Sequence, residues 1–236
     1  MHLRRKEELD ISIVMPCLNE VRTVGICVDQ AYEFIRRNGL KGEVIVVDNG
    51  SSDGSYEKAL MHGAEVLTEK RKGYGSCLRK GLVYTRGRVV VMGDSDTTYD
   101  FSDLMGFYNM ITVYDYDMVI GDRFFLKMER GAMPVSHKLG VRFLSMCGRI
   151  AFNTDVRDFH CGLRSMARKA LKKMNFGTVG MEFATEMIAV AEREGMKIGQ
   201  IPARLMVCHY KRKSKLRALR DGMRHLGYII HAGRGL

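Results

Sequence analysis

The chain has no tryptophan, and only three of its 236 residues are proline. Its six cysteines, at positions 17, 27, 77, 147, 161 and 208, are scattered and contain no Cys-x-x-Cys pair. Most sit among apolar neighbours, which favours buried reduced thiols over zinc ligands or a disulfide framework. No stretch approaches the ~20 apolar residues that a bilayer-spanning helix needs. The basic start, Met1-His-Leu-Arg-Arg-Lys6, has no apolar run behind it, so no signal peptide is expected. Those absences predict a cytoplasmic protein whose membrane contact, if any, is peripheral. Internal repeats and low-complexity segments are also lacking. There is no Gly-x-x-x-x-Gly-Lys-Ser/Thr, which excludes a P-loop, and no Gly-x-Gly-x-x-Gly after the first strand, which argues against a dinucleotide fold. Acidic residues are in deficit, 27 against 38 Lys and Arg, for a formal charge of +11. That bias favours phosphates, anionic lipid or nucleic acid as partners.

What is present is a repeated alternation. Apolar runs at 11–16, 43–48, 64–68 and 88–92 read as short buried strands, the first stopped by Pro16. Between the first two, Leu18-Asn19-Glu20 opens a helix whose apolar residues recur at helical spacing, and a further helix is expected over 76–85. Such alternation means βαβ units and a mostly parallel central sheet flanked by helices, an α/β fold. Length allows one large domain or two small ones. In parallel sheets ligands bind beyond the carboxyl ends of the strands. Asp48, the Gly73-Tyr-Gly75 loop, Asp94 and Asp96 all fall at such ends. Two carboxylates one residue apart after a buried strand either hold a hard divalent ion, with substrate phosphates completing its shell, or serve as turn and cap residues.

The ordered set Ile13-Val-Met-Pro-Cys-Leu-Asn-Glu20, Val46-Val-Asp-Asn-Gly-Ser-Ser-Asp53, Gly73-Tyr-Gly75 and Gly93-Asp-Ser-Asp96 resembles family 2 glycosyltransferases of the GT-A fold. Gly121-Asp-Arg-Phe124, Asp158-Phe-His-Cys-Gly-Leu-Arg164 and Met181-Glu-Phe-Ala-Thr-Glu186 narrow the resemblance to dolichyl- or polyprenyl-phosphate sugar synthases. It covers the chain from Ile11 to about His225. What it implies is one GT-A domain over 1–236: a Rossmann-like nucleotide-sugar half (1–100), an acceptor half (101–209) and a basic amphipathic segment (210–236).

The resemblance also implies site residues. Pro16, Asn19, Glu20, Asp48, Gly50, Ser51, Gly73, Gly75 and Asp94 would bind the nucleotide sugar, although Asn49 stands where relatives often have a second Asp. Asp94 and Asp96 would hold Mg2+ or Mn2+. Asp96, Arg123 and Asp158 would be catalytic, Asp158 being either a base or a structural carboxylate. Arg142, Arg212, Ser214 and Lys215 would face the acceptor phosphate. Glu182 and Glu186 share a helix face and could as well pair with Arg or Lys.

The expected reaction is inverting transfer of a hexose from a GDP-mannose or UDP-glucose type donor to a polyprenyl or dolichyl phosphate at the cytoplasmic face of a membrane. An ionised lipid phosphate is already a nucleophile and needs positioning more than a base. Two alternatives stand beside it. A saccharide acceptor would call for a base at Asp158. A non-catalytic nucleic-acid-binding protein would want aromatics interleaved with basic residues, whereas the basic end offers only Tyr210 and Tyr228. Beyond the basic run, Leu216, Leu219, Met223, Leu226 and Ile230 form a stripe that either rests on a membrane or packs on the domain.

Overall fold

A computed structural model describes residues 8–126, 128–129, 131–208, 210 and 218–233. Four strands alternate with three helices in its first part: β1 (Leu9–Cys17), α1 (Val24–Arg37), β2 (Gly42–Asp48), α2 (Ser55–Met61), β3 (Glu65–Thr68), α3 (Tyr74–Tyr84) and β4 (Gly87–Met92). The second part runs α4 (Met105–Thr112), β5 (Met118–Asp122), α5 (Val135–Phe152), β6 (Arg164–Ala167), α6 (Arg168–Leu171), α7 (Phe183–Arg193), β7 (Ile198–Pro202) and α8 (Ala218–Gly233).

Among the described residues the seven strands form one sheet in the order β3-β2-β1-β4-β6-β5-β7. Pairing is parallel except at β6, which runs antiparallel to both β4 and β5. The interior strands carry near-continuous apolar runs, with Ile13, Val14, Val44, Val46, Val89 and Val91 all fully buried. Such runs suit strands covered on both faces. On α1, Val24, Cys27, Val28, Ala31 and Ile35 are buried, the helical spacing that turns one face to the sheet.

Two local expectations need correction. The helix expected to open at Leu18–Glu20 begins only at Val24, and Asn19 has a left-handed φ of 52°. The N–H groups of Asn19, Glu20 and Val21 donate to Ser51 Oγ, Ser55 Oγ and Asp53 Oδ2 instead, so a neighbouring loop takes the donors. Nor does Pro16 end its strand: it pairs with Val47, and β1 continues to Cys17. Pairing with β4 already stops at Val14 and Met92, so the missing proline N–H costs no ladder bond on that side.

Candidate active site

The carboxyl ends of β1, β2 and β4 meet in a set of interlocked loops. Asp48 closes β2 with an Asx turn, accepting the N–H of Gly50 at 2.9 Å and that of Ser51 at 3.1 Å. Gly50 takes φ 83°, a left-handed conformation suited to glycine. Asn19 reaches across from the β1 loop: its Oδ1 accepts Ser52 N–H at 2.8 Å, and its own N–H donates to Ser51 Oγ at 2.9 Å. Ser95 Oγ, just past β4, donates to the Pro16 carbonyl at 2.8 Å. Pro16, Asn19, Glu20, Asp48, Gly50 and Ser51 are thereby gathered at one sheet edge.

Asn49 has a task an aspartate could not perform. Its buried amide donates to the carbonyls of Glu69 (2.9 Å) and Arg71 (3.0 Å), while its Oδ1 accepts Gly73 N–H at 2.8 Å. The loop before α3 is pinned to the loop after β2 by this one side chain. Lys72 folds back so that its ammonium donates to the Asn49 carbonyl.

The two glycines of that loop have a packing requirement of their own. A Cβ on Gly73, at φ 140°, would lie 2.1 Å from the Val179 carbonyl oxygen, and one on Gly75 would lie 2.8 Å from Phe183 Cβ. Gly75 and Ser76 donate their N–H groups to the carbonyls of Gly180 and Val179. The amino end of α3 is thus sealed by loop 178–180. That loop is in turn held by Glu186, which accepts Gly177 N–H at 2.6 Å and Thr178 N–H at 3.0 Å. Glu182 pairs with Arg224 of α8 at 3.0 Å. In these contacts both glutamates tie protein elements to one another.

Asp94 and Asp96 follow β4. The Asp96 carboxylate is buried, and one oxygen accepts Thr98 N–H at 3.0 Å and the Thr98 hydroxyl. Asp94 is half-buried and lies over Gly162, where a Cβ would come within 2.6 Å of Oδ2. Burial, then the Asp94 charge and its hydrogen bond, push the Tyr74 phenol well above its ordinary pKa. Tyr74 and Gly162 are site residues that sequence patterns did not single out. Both lie inside motifs, yet only the fold shows that each touches Asp94.

Arg123, in the turn after β5, forms a bidentate pair with Asp158: Nε to Oδ2 at 2.6 Å and Nη2 to Oδ1 at 2.8 Å. Asp158 also accepts the N–H of Arg123 and of His160, both at 3.2 Å. Both of its oxygens are engaged, and both side chains are buried. Tyr99 bridges this pair and the Asp94 region. Its hydroxyl accepts Gly162 N–H at 3.0 Å. Burial drives its pKa far up, with Asp94 adding to the rise and Arg123 opposing it. Arg142, on α5, sits with its guanidinium carbon 5.0 Å from the centre of the Phe124 ring, next to Arg123 in sequence. Arg212, Ser214 and Lys215 lie outside the described residues.

The donor set around β4 is all oxygen. Among the described residues no group of three His, Cys, Asp or Glu side chains could hold a metal by itself. One or two carboxylates with the remaining ligands from diphosphate and water is the usual Mg2+ arrangement, and Asp94 with Asp96 fits it.

The model of glycosyl transferase family 2 matches residues 12–174. The chain belongs to this family. A low-salt glycan biosynthesis hexosyltransferase of Haloferax volcanii is 33% identical over 223 residues, 93% of this chain and 53% of that protein. The chain therefore spans about half the length of that relative. A dolichyl-phosphate beta-glucosyltransferase of Saccharomyces cerevisiae is 23% identical over 83% of this chain and 66% of that protein. Among solved structures, glucosyl-3-phosphoglycerate synthase of Mycobacterium tuberculosis, in complex with Mn2+, UDP-glucose and phosphoglyceric acid, superposes with a TM-score of 0.75. At 23% identity it covers 97% of this chain and 80% of that one, and the shared architecture is the GT-A fold.

Proposed function

We propose that this family 2 chain carries the catalytic domain of a metal-dependent, inverting hexosyltransferase that acts on a polyprenyl phosphate. The observation that carries the acceptor class is the Arg123–Asp158 pair. A sugar hydroxyl must lose its proton during attack, and the carboxylate positioned for that work would have to be available. Here Asp158 has both oxygens bonded to Arg123 and to backbone N–H groups. A phosphate monoester needs no such base. The dolichyl-phosphate glucosyltransferases among the relatives support the same reading.

In this reading the loop built on Asp48, Asn49 and Ser51 receives the nucleotide, and Asp94 and Asp96 hold a divalent ion. When bound, the ion neutralises charge that builds on the departing diphosphate. Arg123 serves a substrate phosphate while Asp158, bonded to Nε and Nη2, fixes the guanidinium plane. Asp158 is then a positioning residue. The half-buried Asp94–Tyr74 contact keeps one carboxylate in a fixed orientation for the donor.

The test is product identification. The protein is incubated with GDP-mannose, UDP-glucose and related donors, each with a polyprenyl phosphate or the matching polyprenol, with and without EDTA. Mass spectrometry should find a hexosyl phosphopolyprenol only with the phosphate and only with metal. Transfer to a saccharide or alcohol hydroxyl, but not to the phosphate, would overturn the reading.

A further inference from the structure

Two packed helices in this fold have their polarity reversed. On α8 the residues turned inward include Asp221 and His225, while Leu219, Met223 and Ile230 face out, Leu219 with 83% of its surface exposed. The neighbouring α5 buries Ser145, Gly148 and Phe152. It exposes Val135, Leu139, Phe143, Met146 and Ile150, the last at 78%. The two helices approach closely at one point, where a Cβ on Gly233 would meet Ala151 Cβ at 3.1 Å. An amphipathic helix that merely completes a core buries its apolar stripe. Apart from Phe152 and Ile229 near their carboxyl ends, these two bury small or polar residues and present most of the stripe to the outside.

Their charge is one-sided as well. Val135–Phe152 contains no Asp or Glu but carries Lys138, Arg142 and Arg149, with both arginines exposed. On α8 the single carboxylate, Asp221, is buried, and Arg220 is exposed. Exposed apolar side chains among Arg142, Arg149 and Arg220 outnumber the one exposed carboxylate beside them, Asp155 at the carboxyl end of α5, and match an anionic lipid surface. Among the described residues no helix is long and apolar enough to cross a membrane. We infer that the outer faces of α5 and α8 form a docking surface that lies in the interface of an anionic bilayer. This rests on and extends the proposed acceptor class, since a polyprenyl phosphate resides in such a bilayer. The surface itself is argued from the two helices alone.

The experiment uses the full chain and two variants, Leu139→Ser/Met146→Ser/Ile150→Ser on α5 and Met223→Ser/Ile230→Ser on α8. These positions are exposed, and circular dichroism melting checks that the fold is kept. Co-sedimentation is measured with vesicles of phosphatidylcholine alone and of phosphatidylcholine with phosphatidylglycerol. The parent should bind the anionic vesicles, and each variant should bind at least about tenfold more weakly. Transfer to a short, water-soluble prenyl phosphate without vesicles is assayed in parallel and should be unchanged. If the parent transfers nothing but still binds vesicles through these residues, the proposed acceptor fails while the docking surface stands. Equal vesicle binding by parent and variants overturns the docking surface. So does sedimentation velocity showing a dimer that the substitutions split, which would make the face a contact between two copies.

Discussion

Asn49 and Gly162 show how single residues set this site. The Asn49 amide supplies two donors and one acceptor to the loop before α3, so Asn49→Asp replaces both donors with a buried negative charge facing two carbonyls. Unsatisfied buried partners of this kind cost on the order of 2–3 kcal/mol. Urea unfolding should show that loss, and the KM for the nucleotide sugar should rise as the loop loosens. An unchanged midpoint would remove Asn49 from its clamping role. Gly162→Ala probes Asp94 indirectly, because the added Cβ would sit 2.6 Å from Oδ2. The expected outcome is a loss of turnover of about tenfold or more, from a carboxylate displaced by a few tenths of an ångström, with little change in Tm. Wild-type kinetics would show that the Asp94 orientation is immaterial to transfer. Neither contact is visible in the sequence: Asn49 reads as a departure from a pattern, and Gly162 as one glycine among 25. Each acts across a gap that only tertiary structure closes.

At the scale of elements, the α7–α8 contact carries a titratable core. His225 of α8 meets Thr185 Oγ1 of α7 at 2.7 Å and stacks edge-on against His160 at 4.3 Å between ring centres. Both ring nitrogens of His160 are shielded and have no hydrogen-bond partner among the described residues. Burial pushes the His225 pKa down to about 4, with Glu182 and Asp221 opposing the shift and Arg164 and Arg224 adding to it. Burial also drives His160 well below the usual range, reinforced by His225 and the nearby arginines. Both rings are therefore neutral in the folded state and take up protons near pH 6.5 once unfolded. Stability is complete above that pH and declines as pH falls toward 4, by up to ~3 kcal/mol from His225. Tm measured between pH 7.5 and 4.5 should fall, and His225→Asn should flatten the decline. A parallel decline in the variant would place the acid sensitivity elsewhere. Strands β1–β4 were legible because buried parallel strands have continuous apolar runs, whereas the short β5, β6 and β7 were not read. The outward turn of the α8 stripe was not: amphipathicity gives a helix two faces, and the sequence does not say which one meets protein. That choice follows from α7 and the 158–164 loop, which offer His225 the Thr185 hydroxyl and the edge of the His160 ring.

On the scale of the whole molecule, β4 and β6 join what the family resemblance implies are a nucleotide-sugar half and an acceptor half. The boundary near residue 100 marks where regular βα alternation stops, but the sheet does not stop there. Val89, Val90, Val91 and Met92 of β4 are fully buried, and their ladder partners on one side are Arg164–Ala167 of β6. Helices α4 and α6 pack on β4 from beyond the boundary. A fragment of residues 1–100 would keep β3-β2-β1-β4 but leave β4 as a bare apolar edge, the kind of strand that pairs with other chains. Each buried aliphatic side chain left uncovered forfeits about 1.5–3 kcal/mol, and a few such losses equal the stability of an ordinary domain. The fragment should therefore be insoluble or associated, without a cooperative melt, even with nucleotide sugar and Mg2+ present. The whole chain should unfold in one calorimetric transition whose van't Hoff and calorimetric enthalpies agree, shifted upward as a unit by donor and metal. Size-exclusion chromatography and scanning calorimetry on both proteins decide the matter. A soluble, monomeric fragment that melts cooperatively, or two transitions in the whole chain with only one moved by the donor, would mean that the halves are separate folding units and that β6 is a seam, not a shared strand.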